Sequence, residues 1–114
     1  MEEYLQTLRE HGCDVDGALG RMLGDGDFLL RCARSALDMP EFEQLGSALA
    51  ARDAAAAFEY AHALKGVTAN VGLTPLYTQV TRLVEPLRAG RAEDLDGAYG
   101  DLLQLRKELR ALLA

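Results

Sequence analysis

Apolar residues recur at helical spacing along almost the whole chain, and each break in that rhythm carries a helix stop or start signal. Tyr4, Leu5 and Leu8 share one side of a helix over residues 2–10, which Gly12 ends. Asp14 caps a second short helix carrying Val15, Leu19, Met22 and Leu23, closed by Gly24. Asp25 or Asp27 opens a third, with Phe28, Leu29, Cys32 and Ala36 spaced for burial. Pro40 suits the first turn of the next stretch, where its missing N–H is harmless, and Phe42, Leu45 and Leu49 carry the stripe there. The segments on either side of Pro40 form one bent helix or two.

Arg52-Asp53 is the next break, and Asp53 can cap a helix that Gly72 closes. Thr74-Pro75 then supplies N-cap and N1 residues for a helix striped by Leu76, Val80, Leu83, Val84 and Leu87. Pro86 conflicts with that helix, because an interior proline removes a hydrogen bond and clashes with the preceding turn; a kink or an early end is expected there. After Gly90 a last helix runs from about residue 93 to 113, with Leu95, Tyr99, Leu102, Leu109 and Leu113 inward. The connections are only a few residues long, so neighbouring helices pack antiparallel. The expected fold is all-α: one domain over residues 1–114, an antiparallel four-helix bundle with one or two short additional helices at the N-terminus.

The formal net charge of −6 argues against nucleic acid as a partner, since phosphate binding needs a basic face. No polybasic stretch is present to hold a membrane surface, and no apolar run approaches the roughly 20 residues needed to span one. Met1-Glu2-Glu3-Tyr4 lacks the basic start and apolar stretch of a signal peptide. Cys13 and Cys32 have no metal-ligand spacing and read as buried free thiols, which places the chain in a reducing cytoplasm.

The run Ala61-His62-Ala63-Leu64-Lys65-Gly66 holds the candidate chemistry. At about 100° per residue, Ala57, Tyr60, Ala61, Leu64, Val67, Thr68 and Val71 fall in one sector, the core face. His62 points almost directly away from that sector, with Lys65, Gly66 and Ala69 beside it. A functionless surface histidine would account for His62 alone but not for its company. Glycine costs about 1 kcal/mol against alanine in a helix interior, so Gly66 on an outward face suggests close approach of something to the backbone. Phe58, at i−4, either joins Gly66 and Ala69 in a flat apolar collar around the imidazole or leans onto the helix of Val80 and Val84.

An imidazole can act as acid or base, bind metal or serve as a nucleophile. Acid–base catalysis calls for an enclosed pocket, which a small bundle does not obviously offer. Metal binding needs several ligands, yet His11 is the only other histidine and no carboxylate pair has di-iron spacing; no metal site is expected. Ser35 and Ser47, the only serines, lie away from this face. Nucleophilic capture of a phosphoryl group remains, with Lys65 offsetting negative charge and Gly66 giving access. No phosphate-cradling loop or nucleotide motif is present, so a partner must bring the remaining machinery.

These residues resemble the histidine-containing phosphotransfer (HPt) domains of multistep two-component phosphorelays, whose hallmark is a helical His-x-Leu-Lys-Gly followed by small residues and a glycine. His62, Leu64, Lys65, Gly66, Ala69 and Gly72 match it. The likeness extends upstream through Gly12-Cys13-Asp14-Val15, Leu19, Arg21, Met22, Gly24, Phe28 and Leu29, and onward through Pro40, Leu45, Leu49, Arg52-Asp53, Leu76, Leu83 and Glu85. It covers roughly residues 12–90.

By this resemblance His62 is phosphorylated by a receiver-domain aspartate and passes the group to another receiver. Lys65 and Gly66 are its supporting pair, and Phe58 and Ala69 belong to the docking face. The protein would have no kinase activity and no cofactor of its own, with Mg²⁺ on the receiver. Receiver domains of response regulators and a sensor histidine kinase are the implied partners of a monomeric carrier. Some relatives contribute a Gln or Arg from the following helix, for which Gln79 and Arg82 are candidates. Val67 is bulkier than the usual Ser or Ala, and Pro86 departs from the family in the flanking helix. The rival readings are a helical binding or scaffold module without phosphotransfer, and the phosphorylatable domain of a chemotaxis-type kinase.

Overall fold

Three aspartates fix the starts of three helices. The Asp14 carboxylate accepts from the Gly17 N–H at 3.0 Å, Asp25 from Phe28 N–H at 3.0 Å, and Asp53 from Ala56 N–H at 3.1 Å. Each satisfies a backbone donor that a first helical turn leaves free. The computed structural model describes residues 1–114 and contains no strand. Its helices are α1 (Glu2–Glu10), α2 (Val15–Arg21), α3 (Gly26–Leu37), α4 (Glu41–Ala50), α5 (Ala54–Asn70), α6 (Thr74–Arg88) and α7 (Asp96–Leu112).

Several boundaries sharpen or correct the sequence reading. Asp25, not Asp27, opens α3, and the chain breaks into two helices before Pro40, whose ring disfavours a helical residue ahead of it. Leu73 rather than Thr74 takes the N-cap position of α6. The Thr74 hydroxyl is engaged elsewhere, accepting from the Asp14 N–H at 3.1 Å and donating to the Gly72 carbonyl at 3.3 Å. Pro86 does not end α6 early. It sits two residues from the last helical residue, so the hydrogen bond it removes is the one to the Arg82 carbonyl, and the helix continues to Arg88. Asp94 has φ of +60°, outside the helical region, and α7 therefore starts at Asp96 rather than near Glu93.

Three residues spaced for burial are not core residues. Leu23 follows the C-cap of α2 with φ of +55°, and that left-handed turn carries its side chain into solvent, 97% exposed. Phe28 is also exposed, and Cys32 is only half-buried.

Helix α5 is the centre of the bundle. It packs against α4 and α6, and α6 in turn against α7. Both α3 and α4 reach α5 and α7, so the two short helices share one corner while α5, α6 and α7 form the other three. Helices α1 and α2 lie against α3. The buried Arg106 joins three of these elements. Its Nε donates to the Leu37 carbonyl at the end of α3 (2.7 Å), its Nη1 to Glu43 of α4 (2.6 Å), and its guanidinium lies 4.4 Å over the Phe42 ring. A cation at a helix C-terminus satisfies free carbonyls and complements the helix dipole.

The turn after α5 needs its glycine. Gly72 has φ of +74°, an added Cβ would meet the Asp14 carbonyl, and its own carbonyl accepts from the Asp14 N–H at 2.9 Å. No helix is long and apolar enough to cross a membrane.

Candidate functional site

Ala57, Ala61, Leu64 and Thr68 of α5 are buried to 1% exposure or less, a four-three-four spacing that defines one inward face. Thr68 is tolerated there because its hydroxyl donates to the Leu64 carbonyl at 2.7 Å. Val71 joins the buried set, whereas Tyr60 and Val67 are half-buried at its margin. The opposite face carries His62, Gly66 and Ala69, all exposed, with Lys65 and Phe58 half-buried beside them.

Phe58 contributes to both settings that its position allowed. Its ring stacks on the His62 imidazole, with centroids 5.4 Å apart and planes inclined by 10°. It also turns toward α6, where the Arg88 guanidinium lies 5.0 Å over it. Beside this stack runs a groove of about 380 Å³ lined by Ala55, Phe58, Glu59, Leu87, Arg88 and Gly90. His62 itself lines none of the larger grooves.

Lys65 makes no ion pair, unlike five of the arginines, so its ammonium is available to an incoming anion. A Cβ built on Gly66 meets nothing within 4 Å. Open space also surrounds Gly20, Gly97 and Gly100, so room alone is not diagnostic. What sets Gly66 apart is its place in the interior of a long helix, one turn from His62 on the same face. At the end of α5, Arg21 of α2 donates to the carbonyls of Ala69 (2.9 Å) and Asn70 (3.1 Å), which caps the helix and ties α2 to the site face.

Gln79 and Arg82 do not share that face. The Gln79 amide donates to the Ala98 carbonyl of α7 at 3.0 Å, and Arg82 donates to Gln79 at 3.1 Å. At about 100° per residue Gln79 and Arg88 stand roughly 180° apart on α6, so the residue of α6 that reaches the α5 ridge is Arg88. Sequence reasoning missed it. The three-residue turn between α5 and α6 holds the signal, because antiparallel pairing about Gly72 sets residue 58 opposite the end of α6.

No group of three or more His, Cys, Asp or Glu side chains comes together in a metal-holding arrangement. The arrangement is an accessible imidazole on a rigid helix, with one uncommitted cation and an unobstructed backbone beside it. Such a surface suits chemistry in which a second macromolecule delivers the reacting group. The family model described as "Hpt domain" matches residues 1–114. No curated protein and no solved structure matched the chain.

Proposed function

The chain belongs to the Hpt family, matched over residues 1–114, and from that premise we propose that His62 is its phosphoacceptor, charged by one receiver-domain aspartate and discharged to another. Hpt domains are phosphocarrier modules of two-component systems that interact with receiver domains and histidine kinases. The observation that carries the assignment is the exposed His62 opposite a fully buried stripe on α5, with open space over Gly66.

In the transfer, a His62 ring nitrogen attacks phosphorus in line. The N–P bond forms as the P–O bond to the receiver's aspartate breaks, and the carboxylate leaves as an anion. The unprotonated nitrogen supplies the electron pair, the other nitrogen keeps its proton, and the positive charge the ring gains is offset by the negative phosphoryl oxygens it now carries. Lys65 offsets charge on the transferring group. Gly66 and Ala69 let the receiver's acidic site seat against the ring. Mg²⁺ is held by the receiver. Gln79 and Arg82 take no part, since they bond to α7 and to each other.

Incubation with a phosphorylated receiver tests the proposal. Acid-labile label on wild-type protein, absent from His62→Gln, is the expected result; no label on either would leave a helical scaffold as the reading. Label acquired from a kinase catalytic domain and ATP, with no receiver present, would instead favour the phosphorylatable domain of a chemotaxis-type kinase.

A further inference from the structure

The two histidines of this chain are oriented by different means. His11 Nδ1 lies 2.9 Å from the Thr7 carbonyl, one turn back on its own helix. His62 has no hydrogen-bond partner on either ring nitrogen, and the contact that orients its ring is the stack on Phe58, again one turn back. A histidine on a helix surface otherwise samples more than one χ1 rotamer and a broad χ2. A hydrogen bond would restrain the ring but occupy one nitrogen. A stacked phenyl ring restrains it and leaves both nitrogens free, one to attack and one to carry the proton.

Phe58 is itself held. Half-buried between α5 and α6, it has the Arg88 guanidinium 5.0 Å over its ring, and Arg88 Nε stands 3.5 Å from the Glu85 carboxylate. We propose that Phe58 is a positioning residue for His62: it presets the imidazole for in-line attack without engaging either nitrogen, and Arg88 holds the phenyl ring in place. The inference rests on the phosphotransfer reading for its consequence in rate but not for its structural content. It differs from a docking role, in which Phe58 would only add contact area for the receiver.

Two measurements on the full chain test it. Three-bond couplings about the His62 χ1 bond, read by NMR, report a single rotamer in wild type and in Phe58→Tyr, and averaged values in Phe58→Leu, which keeps apolar bulk but cannot stack. In single-turnover transfer from a phosphorylated receiver, Phe58→Leu lowers the saturating rate about tenfold, consistent with the steep dependence of rate on alignment, and leaves the half-saturating receiver concentration within about twofold. Phe58→Tyr retains the rate, and Arg88→Met gives an intermediate loss. An unchanged saturating rate with a raised half-saturating concentration would make Phe58 a docking contact only and overturn the proposal. So would a single His62 rotamer in Phe58→Leu. Were the wild type to take no label at all, the phosphoacceptor reading would fail, and the couplings alone would still decide whether Phe58 orients the ring.

Discussion

The Tyr99 ring of α7 lies where a side chain at position 46 of α4 would stand, so that a Cβ built on Gly46 would collide with the phenol. The Tyr99 hydroxyl donates from there to the Phe42 carbonyl at 2.7 Å, which closes α7 onto α4. Gly46 and Gly66 are both interior helix glycines, yet of the two only Gly46 is required by the packing of this chain.

Gly46→Ala should therefore destabilise the protein. The gain in helix propensity is about 1 kcal/mol, whereas forcing a methyl group against a ring fixed by its own hydrogen bond costs about 1–3 kcal/mol. A net loss is expected in urea-unfolding midpoints, and it should be smaller in a Tyr99→Phe background, where the nearest clashing atom and the bond that fixes the ring are both gone.

Gly66→Ala has the opposite sign. With nothing to collide with, the propensity term stands alone and stability should rise by up to about 1 kcal/mol. Gly66→Glu should fold equally well but block transfer, because both its bulk and its charge oppose an acidic receiver site. Thermal unfolding read beside transfer from a phosphorylated receiver separates the two effects; normal transfer by Gly66→Glu would contradict the role of access.

The inward and outward faces of α5 were legible in the sequence because seventeen residues of one helix sample the wheel several times over. The caps at Asp14 and Asp53 were legible because their chemistry is local. What escaped depended on tertiary placement. Leu23 looked apolar at helical spacing, but it falls just past the end of α2, where a left-handed turn breaks the period. Arg88 was missed because nothing near it in sequence marks a site; only the α5–α6 pairing brings it to Phe58. Gln79 matched a family expectation by residue type, and its amide is committed to α7.

The two thiols should differ in reactivity. Burial pushes the Cys13 thiol up to about 11, so almost no thiolate forms there near neutral pH. Cys32 is half-buried and lines an open groove of about 400 Å³ with Phe28, Met39 and Val67. Iodoacetamide at neutral pH should alkylate Cys32 first, with Cys13 modified only on unfolding, as read by peptide mass spectrometry. Equal labelling of the native protein would show that the α1–α2 junction opens readily.

Acid should weaken the clamp made by Arg106. Its hydrogen bond holds the Glu43 carboxyl below its ordinary range, so the unfolded chain takes up this proton at higher pH than the folded one. The contribution is complete above about pH 4.3, the unfolded value, and is lost as pH falls through the lower folded value. Glu43→Gln should lower the urea midpoint at pH 6 and flatten its decline between pH 5 and pH 3. A mutant whose acid slope matches wild type would mean that other carboxylates carry it.

Lys65 bears on rate rather than fold. It makes no ion pair, so its removal leaves no charge unmatched and Lys65→Ala should unfold within about 0.5 kcal/mol of wild type. A charge-assisted contact to a phosphoryl oxygen contributes about 1.5–3 kcal/mol, equivalent to a roughly 10- to 150-fold slower transfer when it is lost. Lys65→Arg keeps the charge on a planar, differently hydrated head and should recover only part of the rate. Stopped-flow transfer from a phosphorylated receiver decides the matter: a rate unchanged in Lys65→Ala removes Lys65 from the chemistry, while an unchanged rate at saturation with weaker receiver binding makes it a docking charge only.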